Sequence, residues 1–182
     1  MPSVLVPLAD GVEEMEAVII IDVLRRAGWA VTAVGMEDAT VAGSRGVKLE
    51  PDAVWAQVKP ASFDILILPG GGPGTERLCA HKPLLATIVE FARARKWLGA
   101  ICAGPLVLQA AGVLKGRRAT CHPAVADKLT DPERSGELGV VDDRIVTSQG
   151  PGTAFDFALT FVRLIDGEQA ADEIAHAMVW HR

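Results

Sequence analysis

The sequence has 182 residues, the size of one ordinary domain, and folding at that length buries roughly 70% of the surface that an unfolded chain exposes. Its composition is 49% hydrophobic and 23% charged, with 18 glycines and 11 prolines, which excludes disordered, collagen-like and coiled-coil proteins. The net charge of -5 argues against a nucleic acid or an anionic membrane as the partner. We therefore expect a single domain that covers residues 1–182.

Three cysteines are too few for a disulfide framework, and an odd number cannot all be paired within one chain. At least one thiol is unpaired, which favours a reducing, cytoplasmic compartment. The chain opens with a short apolar stretch and has neither a basic leader nor a long apolar run, so we expect no secretion signal and no membrane span. Two short basic clusters, at residues 93–96 and 115–118, contain no aromatic residue, and solvated surfaces explain them better than a nucleic-acid site.

Short apolar runs bounded by turn residues alternate with segments of helical period, a pattern typical of βαβ units in an α/β fold. The runs at residues 4–6 and 65–68 are apolar on both faces, which suits the middle of a parallel sheet. Pro83 predicts the first position of a helix, and Thr153 with Asp156 predicts a capping box for another. The predicted strands are residues 3–8, 30–35, 64–68, 98–101 and 144–147, and the predicted helices are about 13–27, 83–96, 106–111, 155–165 and 168–178.

The first predicted helix is apolar over most of its circumference, which indicates that it is covered from more than one direction. Periodicity alone leaves two interpretations open. The helix is either deeply buried in the core, or its outer side meets a second subunit. One apolar stripe comprises Ala17, Ile20, Ile21, Leu24 and Ala27, and the other side carries Val18, Ile19 and Val23.

Cys102 follows an apolar strand and precedes the small residues Ala103 and Gly104 and then a helical stretch, which predicts a sharp strand-to-helix turn. Amide groups and the positive end of that helix would stabilise a thiolate and lower the thiol pKa. The alternative is an inert core cysteine, because free cysteines are among the most buried residues. We predict that Cys102 is a nucleophile, with that alternative still open.

Residues 69–75 form a glycine-rich loop after another buried strand, but their spacing matches neither a dinucleotide fingerprint nor a P-loop. Open parallel sheets bind ligands beyond the carboxyl ends of their strands. If the strands at 64–68 and 98–101 are parallel neighbours, the N–H groups of Gly71 and Ala103 would both point at an oxygen near Cys102. The sequence therefore predicts an oxyanion hole made by these two amides.

Six segments together resemble the ThiJ/PfpI superfamily and, within it, the Parkinsonism-associated (DJ-one) branch. They are residues 11–18 (GVEEMEAV), 44–52 (SRGVKLEPD), 69–71 (PGG), 100–105 (AICAGP), 122–123 (HP) and 147–157 (TSQGPGTAFDF). The resemblance implies a flavodoxin-like three-layer α/β/α sandwich with a mostly parallel central sheet, a homodimer and a reactive Cys102. It also implies a glutamate from the first helix hydrogen-bonded to that cysteine, and alignment of residues 11–18 assigns it to Glu16.

A carboxylate within reach of a thiolate would be repelled, so we expect burial and like charge to raise the pKa of Glu16 and to keep it neutral as a donor to sulfur. Glu13 and Glu14 lie in the first helical turn, where ordinary stabilisation of the helix N-terminus explains them. Family likeness places His122 near Cys102 as a general base or orienting group. The alternative for His122 is a hydrogen-bonded structural histidine.

Positive charge near the pocket has three candidate sources. Arg45 lies in a segment that resembles the dimer-side hairpin of the family, and Arg25 or Arg26 lies on the first helix. Isolated arginines are more often surface ion pairs, so that reading also stays open. Gly72 stands where the branch often has a side chain, which predicts a wider pocket mouth.

The resemblance implies a cofactor-independent enzyme for reactive aldehydes such as methylglyoxal, free or as a glycated substrate, of the glyoxalase III or deglycase type. Cys102 would attack the aldehyde and Glu16 would move protons, without metal or glutathione. One alternative is a redox sensor or chaperone that works through oxidation of Cys102. Another is a cysteine peptidase or amidase, for which the sequence offers no acid partner to His122. Cys79 and Cys121 are predicted to be structural, and no zinc-ligand spacing is present.

Overall fold

A computed structural model describes residues 1–181, and a seven-stranded sheet lies at its centre. Its strands are β1 (Ser3–Leu8), β2 (Ala30–Gly35), β5 (Ala53–Val54), β6 (Ile65–Leu68), β7 (Trp97–Ile101), β10 (Gly139–Asp142) and β11 (Ile145–Ser148). They are arranged in the order β10-β11-β7-β6-β1-β2-β5. All neighbours are parallel except β10 and β11, which form an antiparallel pair at one edge.

Four shorter strands form two small sheets beside the main one. Strands β3 (Val41–Ala42) and β4 (Lys48–Leu49) make an antiparallel hairpin, and β8 (Arg118–Ala119) pairs in parallel with β9 (Glu133–Arg134). Four short 3-10 helices cover Trp55–Gln57, Pro60–Ser62, Pro123–Lys128 and Pro151–Thr153. The hairpin lies next to the start of the first helix, where the N–H of Ser44 donates to the carbonyl of Val12.

Six α-helices cover the two faces of the sheet in the described chain. They are α1 (Glu14–Arg26), α2 (Gly72–Ala80), α3 (Lys82–Arg93), α4 (Pro105–Ala110), α5 (Ala154–Asp166) and α6 (Glu168–Ala177). Alternate residues of each central strand join different cores: Ile65 packs with α1, α5 and α6, whereas Leu66 packs with α2, α3 and α4. This alternation produces three layers. The predicted α/β/α sandwich with a mostly parallel sheet is confirmed.

The long buried strands were predictable, and the short ones were not. Strands β1 and β2 have the predicted bounds, β6 and β7 differ by one residue at one end, and β11 is shifted by one residue. The edge strand β10 and the strands of two residues each were missed because so few residues show no alternation. Helix α2 begins with Gly72-Pro73-Gly74, a sequence that signals a turn rather than a helix.

The capping box predicted at Thr153 is wrong. Thr153 is the N-cap of α5, but its side chain makes no cap hydrogen bond to that helix. Its hydroxyl oxygen instead accepts from the N–H of Gly150 at 3.1 Å and lies 2.7 Å from the hydroxyl of Ser148. The Thr153 hydroxyl group therefore stabilises the turn before the helix instead of capping the helix. Pro83 is the second residue of α3, whose N-cap is His81.

Helix α1 buries one side and leaves another apolar side exposed. Ala17, Ile20, Val23 and Leu24 are fully buried in the core. Val18 remains 50% exposed, and Met15, one turn earlier on the same side, is 57% exposed. Residues three positions apart are neighbours on a helix surface, so the chain presents an apolar patch there. Deep burial is thus confirmed for one side of the helix, and contact of the exposed side with a second subunit stays a prediction.

The two basic clusters come together at the turn between β10 and β11. Arg95 forms an ion pair with Asp143 at 2.9 Å, and Arg117 forms one with Asp142 at 3.3 Å. These acidic partners neutralise charges that the sequence alone left unpaired. No helix within residues 1–181 has the length and apolar character needed to cross a bilayer.

Candidate active site

The sharp turn predicted at Cys102 is present. Cys102 directly follows β7 and has a φ angle of 62°, in the left-handed region that costs a non-glycine residue strain. Three backbone hydrogen bonds hold it there. The N–H of Cys102 donates to Ser148 at 3.0 Å, the N–H of His122 donates to Cys102 at 2.9 Å, and the N–H of Gly104 donates to Ile101 at 2.8 Å. Strained backbone of this kind clusters at functional sites.

Gly70 lets the glycine-rich loop approach the Cys102 turn. A Cβ atom at Gly70 would lie 2.5 Å from the Cβ of Cys102 and 2.9 Å from a carboxyl oxygen of Glu16. Neither distance is possible between real side chains, so only glycine fits at this position. Because β6 and β7 are parallel neighbours, the loop and the turn emerge at the same edge of the sheet.

Glu16 reaches this edge from the first turn of α1 and is fully buried. Its Oε2 atom accepts a hydrogen bond from the N–H of Gly70 at 2.7 Å. Its Oε1 atom has no partner of good hydrogen-bond geometry within residues 1–181. Burial and, to a smaller extent, the charge of Glu13 raise the pKa of Glu16 to about 7, although hydrogen bonds from Gly70 and the Cys102 side chain oppose the rise. The expected upward shift at Glu16 is confirmed.

The thiol pKa of Cys102 does not follow the prediction. Burial and the negative charge of Glu16 raise the pKa of Cys102 to about 12, although the N–H groups of Gly71 and Ala103 hydrogen-bond to the sulfur and lower it. The lowered thiol pKa predicted from the turn is therefore wrong while Glu16 is ionised. The turn does supply the amide donors, but burial of the thiol and the carboxylate beside the sulfur outweigh their effect on the pKa.

Glu16 and Cys102 consequently share one proton over a wide pH range. Two negative charges cannot lie together in a buried site, so the pair loses its first proton near neutrality and its second only at high pH. When the proton is on Glu16, the negatively charged sulfur accepts hydrogen bonds from the N–H groups of Gly71 and Ala103. A neutral carboxyl group beside a thiolate is thus one of the two states available near neutral pH.

The pair opens onto a cleft of about 330 Å³. Cys102 forms part of its wall, and a side chain at Gly72 would meet no atom within 4 Å, so the cleft is open on that side. A mouth wider than in relatives, predicted at Gly72, stays a prediction. The cleft is lined by Glu13, Ser44, Arg45, Gly71, Gly72, Pro73, Cys102, His122 and Pro151.

His122 lines the cleft but is poorly arranged to accept the thiol proton. Its Nδ1 atom accepts a hydrogen bond from the N–H of Ala124 at 3.1 Å. A neutral ring that accepts at Nδ1 carries its own proton on Nε2, so the free nitrogen is a donor. This arrangement favours the orienting role over the general base. It also argues against a Cys–His peptidase dyad.

The candidate arginines occupy different places. Arg45 lines the cleft, and its N–H donates to Glu14 at 2.8 Å. Arg26 lies outside the cleft in the last turn of α1, where it pairs with Asp22 at 2.6 Å. Arg25 pairs with Asp52 at 2.6 Å. Only Arg45 of these three is placed to meet a ligand at Cys102.

Sequence reasoning missed the roles of Glu14 and Ser44. Glu14 is 6% exposed, and its carboxylate accepts from the N–H groups of Arg45 and Val47 and from the hydroxyl of Ser44. Burial opposes ionisation, but these donors and the N–H of Glu14 itself hold its pKa below the ordinary value. Glu14 therefore anchors the hairpin loop that carries Arg45. Membership of two resembling segments, 11–18 and 44–52, was the only signal for this contact.

The other cysteines lack such a setting. Cys121 is buried and Cys79 is half-buried. Burial raises the pKa of both thiols, and neither thiol lines the Cys102 cleft. Within the described part of the chain, no group of three or more histidine, cysteine, aspartate or glutamate residues is placed to hold a metal ion.

Comparison with known proteins decides the family. Residues 2–164 match the model of the DJ-1/PfpI family. The chain belongs to the DJ-1/PfpI family. It is 37% identical to a solved structure described as "Toxoplasma gondii DJ-1, oxidized", with a TM-score of 0.95 and complete coverage of both chains.

Two curated relatives show how similarity extends within the DJ-1/PfpI family. The chain is 38% identical over 174 residues to "Glutathione-independent glyoxalase DJR-1.2" of Caenorhabditis elegans. The aligned region covers 94% of this chain and 91% of that protein. It is 41% identical over 178 residues to "Protein DJ-1 homolog B" of Arabidopsis thaliana, covering 97% of this chain but only 41% of that protein. The chain thus spans less than half the length of this plant relative.

Proposed function

We propose that the protein is a cysteine-dependent, cofactor-independent enzyme that acts on reactive aldehydes, with methylglyoxal as substrate and lactate as product. The observation that carries the proposal is the Glu16–Cys102 pair, a nucleophile and a proton carrier buried at the wall of an open cleft. The printed name of the worm relative supports the same chemistry. A cytoplasmic role in defence against carbonyl and oxidative stress is part of this proposal.

The first step of the proposed reaction forms a carbon–sulfur bond. The Cys102 thiolate attacks the aldehyde carbon, and the carbonyl oxygen becomes an alkoxide that takes the proton of Glu16. The amides of Gly71 and Ala103, which hydrogen-bond to the sulfur, would stabilise the developing charge. The product is a hemithioacetal on Cys102, and Glu16 is now a carboxylate.

The second step moves hydrogen between the two adjacent carbons of the substrate. Glu16 removes the proton from the carbon bonded to sulfur and returns it to the neighbouring carbon, while the hydroxyl proton of the first carbon moves to the oxygen of the second, which becomes a hydroxyl group. The first carbon is oxidised to a thioester as the second is reduced, so no external oxidant is needed. Water then hydrolyses the thioester, releasing lactate and restoring the thiol. Glyoxal would give glycolate by the same route.

The direct test is product formation by the purified protein. We expect lactate from methylglyoxal and glycolate from glyoxal without glutathione and with a metal chelator present, measured by chromatography. A glycated peptide assayed in parallel shows whether adducts are also substrates. If the wild-type protein forms neither lactate nor glycolate, the proposed function is rejected.

A redox sensor or chaperone is a second candidate, favoured by the description of the Toxoplasma relative as oxidized. The Cys102 thiolate would attack peroxide, breaking the O–O bond to give a sulfenate, and a second peroxide would give the sulfinate. The carboxyl group of Glu16 would donate a hydrogen bond to that product. We expect peroxide to add two oxygens at Cys102, as seen by intact-mass measurement, and Glu16→Leu to make this state harder to reach. If both proteins are oxidised equally, the role of Glu16 in stabilising the oxidised Cys102 is rejected.

We also propose a homodimer that covers the exposed apolar side of α1. Replacing Val18 with glutamate should convert the dimer to monomers, because it puts a charge into a patch that dimerisation would bury. Light scattering after size-exclusion chromatography measures the mass. Val141→Glu, at an equally apolar but distant position that is 44% exposed, is the matched control. A wild-type protein that runs as a monomer would contradict the proposal.

A further inference from the structure

The last step of the proposed reaction calls for a group that takes a proton from water. Hydrolysis of a thioester on Cys102 adds the oxygen of water to the acyl carbon, and a base that removes a proton from the attacking water speeds such a step by about a hundredfold to ten-thousandfold. The acid formed then ionises to lactate, so two protons are released. The Glu16 carboxylate takes one, which restores the shared proton of the Glu16–Cys102 pair. The other must pass to solvent through a second acceptor.

The cleft wall offers few acceptors for that second proton. The Cys102 sulfur is acylated at this stage, and the guanidinium of Arg45 has donors only. The Nδ1 atom of His122 already accepts a backbone hydrogen bond, and its Nε2 atom carries a proton. Glu16 is fully buried behind the wall. Among the cleft-lining residues in the described part of the chain, Glu13 is the only carboxylate.

Glu13 lies against the loop that holds the reacting sulfur. Its N–H donates to the carbonyl of Gly70 at 2.9 Å, and a Cβ atom at Gly71 would lie 2.5 Å from its backbone nitrogen. The N–H of Gly71 hydrogen-bonds to the sulfur of Cys102. The segment Gly70-Gly71 therefore contacts Glu13 on one side and Cys102 on the other, and both of these residues line the same cleft.

The carboxylate of Glu13 is oriented by the β3–β4 hairpin. Its Oε2 atom accepts a hydrogen bond from the hydroxyl of Ser44 at 3.0 Å, and the same hydroxyl oxygen lies 3.0 Å from Oε2 of Glu14. Glu14 also accepts from the N–H groups of Arg45 and Val47, which fixes the hairpin loop. The Oε1 atom of Glu13 accepts no hydrogen bond from residues 1–181, so this oxygen can accept one from water.

We propose that Glu13 is the general base that activates water for hydrolysis of the thioester on Cys102. Its carboxylate takes a proton from water as the carbon–oxygen bond forms, and the carbon–sulfur bond then breaks with its electron pair going to sulfur. The proton of the lactic acid goes to Glu16, and Glu13 passes its own to solvent through the open cleft. Methylglyoxal and water are thus converted to lactate and one proton. The inference rests on the proposed function and gives the hydrolytic step its own carboxylate.

The test separates acylation of Cys102 from loss of the acyl group. Glu13→Gln keeps an oxygen for the Ser44 hydroxyl but cannot take a proton from water. The probe is p-nitrophenyl acetate, which acetylates a thiolate directly and needs no aldehyde chemistry. We expect p-nitrophenolate release on acetylation at the wild-type rate. The acetylated variant, separated from the reagent, should lose its acetyl group about a hundredfold more slowly than the wild type, as measured by intact mass.

Three controls accompany this variant. Glu13→Asp keeps a carboxylate and should restore part of the deacetylation rate. Glu37→Gln removes one carboxylate at an exposed position outside the Cys102 cleft and should match the wild type. Hydroxylamine attacks as a neutral amine and needs no base to activate it, so it should deacetylate the wild type and Glu13→Gln equally fast.

Methylglyoxal itself should trap the intermediate in Glu13→Gln. If hydrolysis is slowed, the lactoyl thioester accumulates on Cys102 and adds the mass of one methylglyoxal to the protein. The hemithioacetal has the same mass, but only the thioester reacts with hydroxylamine to give lactohydroxamate. Chromatography of the released hydroxamate therefore measures the amount of thioester, which should be higher in the variant than in the wild type.

The outcomes separate the inference from the proposed function. If Glu13→Gln loses its acetyl group at the wild-type rate while the wild-type protein forms lactate, the role of Glu13 is rejected and the enzyme proposal stands. If the wild-type protein forms no lactate but only deacetylation is slowed in Glu13→Gln, the enzyme proposal fails and the general base is supported. Equal slowing of acetylation, water-dependent deacetylation and the hydroxylamine reaction would indicate a structural effect and would overturn the inference.

Discussion

Replacing Cys102 with alanine is expected to abolish lactate formation from methylglyoxal, lowering kcat by at least about a thousandfold. The thiolate forms the only covalent bond between protein and substrate in the proposed reaction, and no other thiol lines the cleft. Alanine removes the sulfur and keeps the Cβ atom, for which Gly70 leaves room. Lactate production at saturating methylglyoxal measures the effect.

Two observations keep this prediction specific. Cys79→Ala is the matched control, because Cys79 is a half-buried thiol on α2 outside the cleft, and it should retain full activity. An unchanged circular dichroism spectrum of Cys102→Ala would show that the turn still folds without the sulfur. Full lactate formation by Cys102→Ala would mean that the cleft amides or a solvent nucleophile perform the reaction, and the proposed mechanism would be abandoned.

The parts of the site that were predictable rest on local sequence. An apolar strand that runs into Cys102, Ala103 and Gly104 encodes a tight turn, because small residues permit close backbone approach. Short apolar runs likewise predicted the two strands, whose parallel pairing, left open by the sequence, places the loop at Gly70 beside that turn. The resemblance then assigned Glu16, which the residues alone did not separate from Glu13 and Glu14.

The sequence alone does not show which buried and charged groups surround the Cys102 thiol in the folded protein. The turn alone predicts a thiolate of low pKa, but burial of the thiol and the charge of Glu16, 86 positions earlier in the chain, reverse the shift. The hairpin contact of Glu14 depends in the same way on strands of two residues, which carry no periodic signal. Local pattern therefore predicted where the nucleophile lies, and tertiary contacts decide its protonation.

Replacing Glu16 with glutamine should lower kcat for methylglyoxal by about a hundredfold to ten-thousandfold, the range expected when a general acid–base group is lost. Glutamine retains an oxygen for the N–H of Gly70 but cannot give up or accept the proton that must move between the two substrate carbons. The same variant should change the alkylation of Cys102. In the wild-type protein the pair loses its first proton near the Glu16 pKa of about 7, so thiolate becomes available there.

In Glu16→Gln the proton must leave the sulfur itself, and burial alone raises the pKa of that thiol. The inflection of the alkylation profile should therefore move to higher pH, although removal of the Glu16 charge keeps it below the value of about 12 that the thiol has beside an ionised Glu16. Glu37→Gln is the control, because it removes one carboxylate at an exposed position outside the Cys102 cleft and should leave the profile unchanged. If the inflection stayed near neutrality in Glu16→Gln, Cys102 would ionise without its carboxyl neighbour. The two groups would then not share a proton, and the prediction would be wrong.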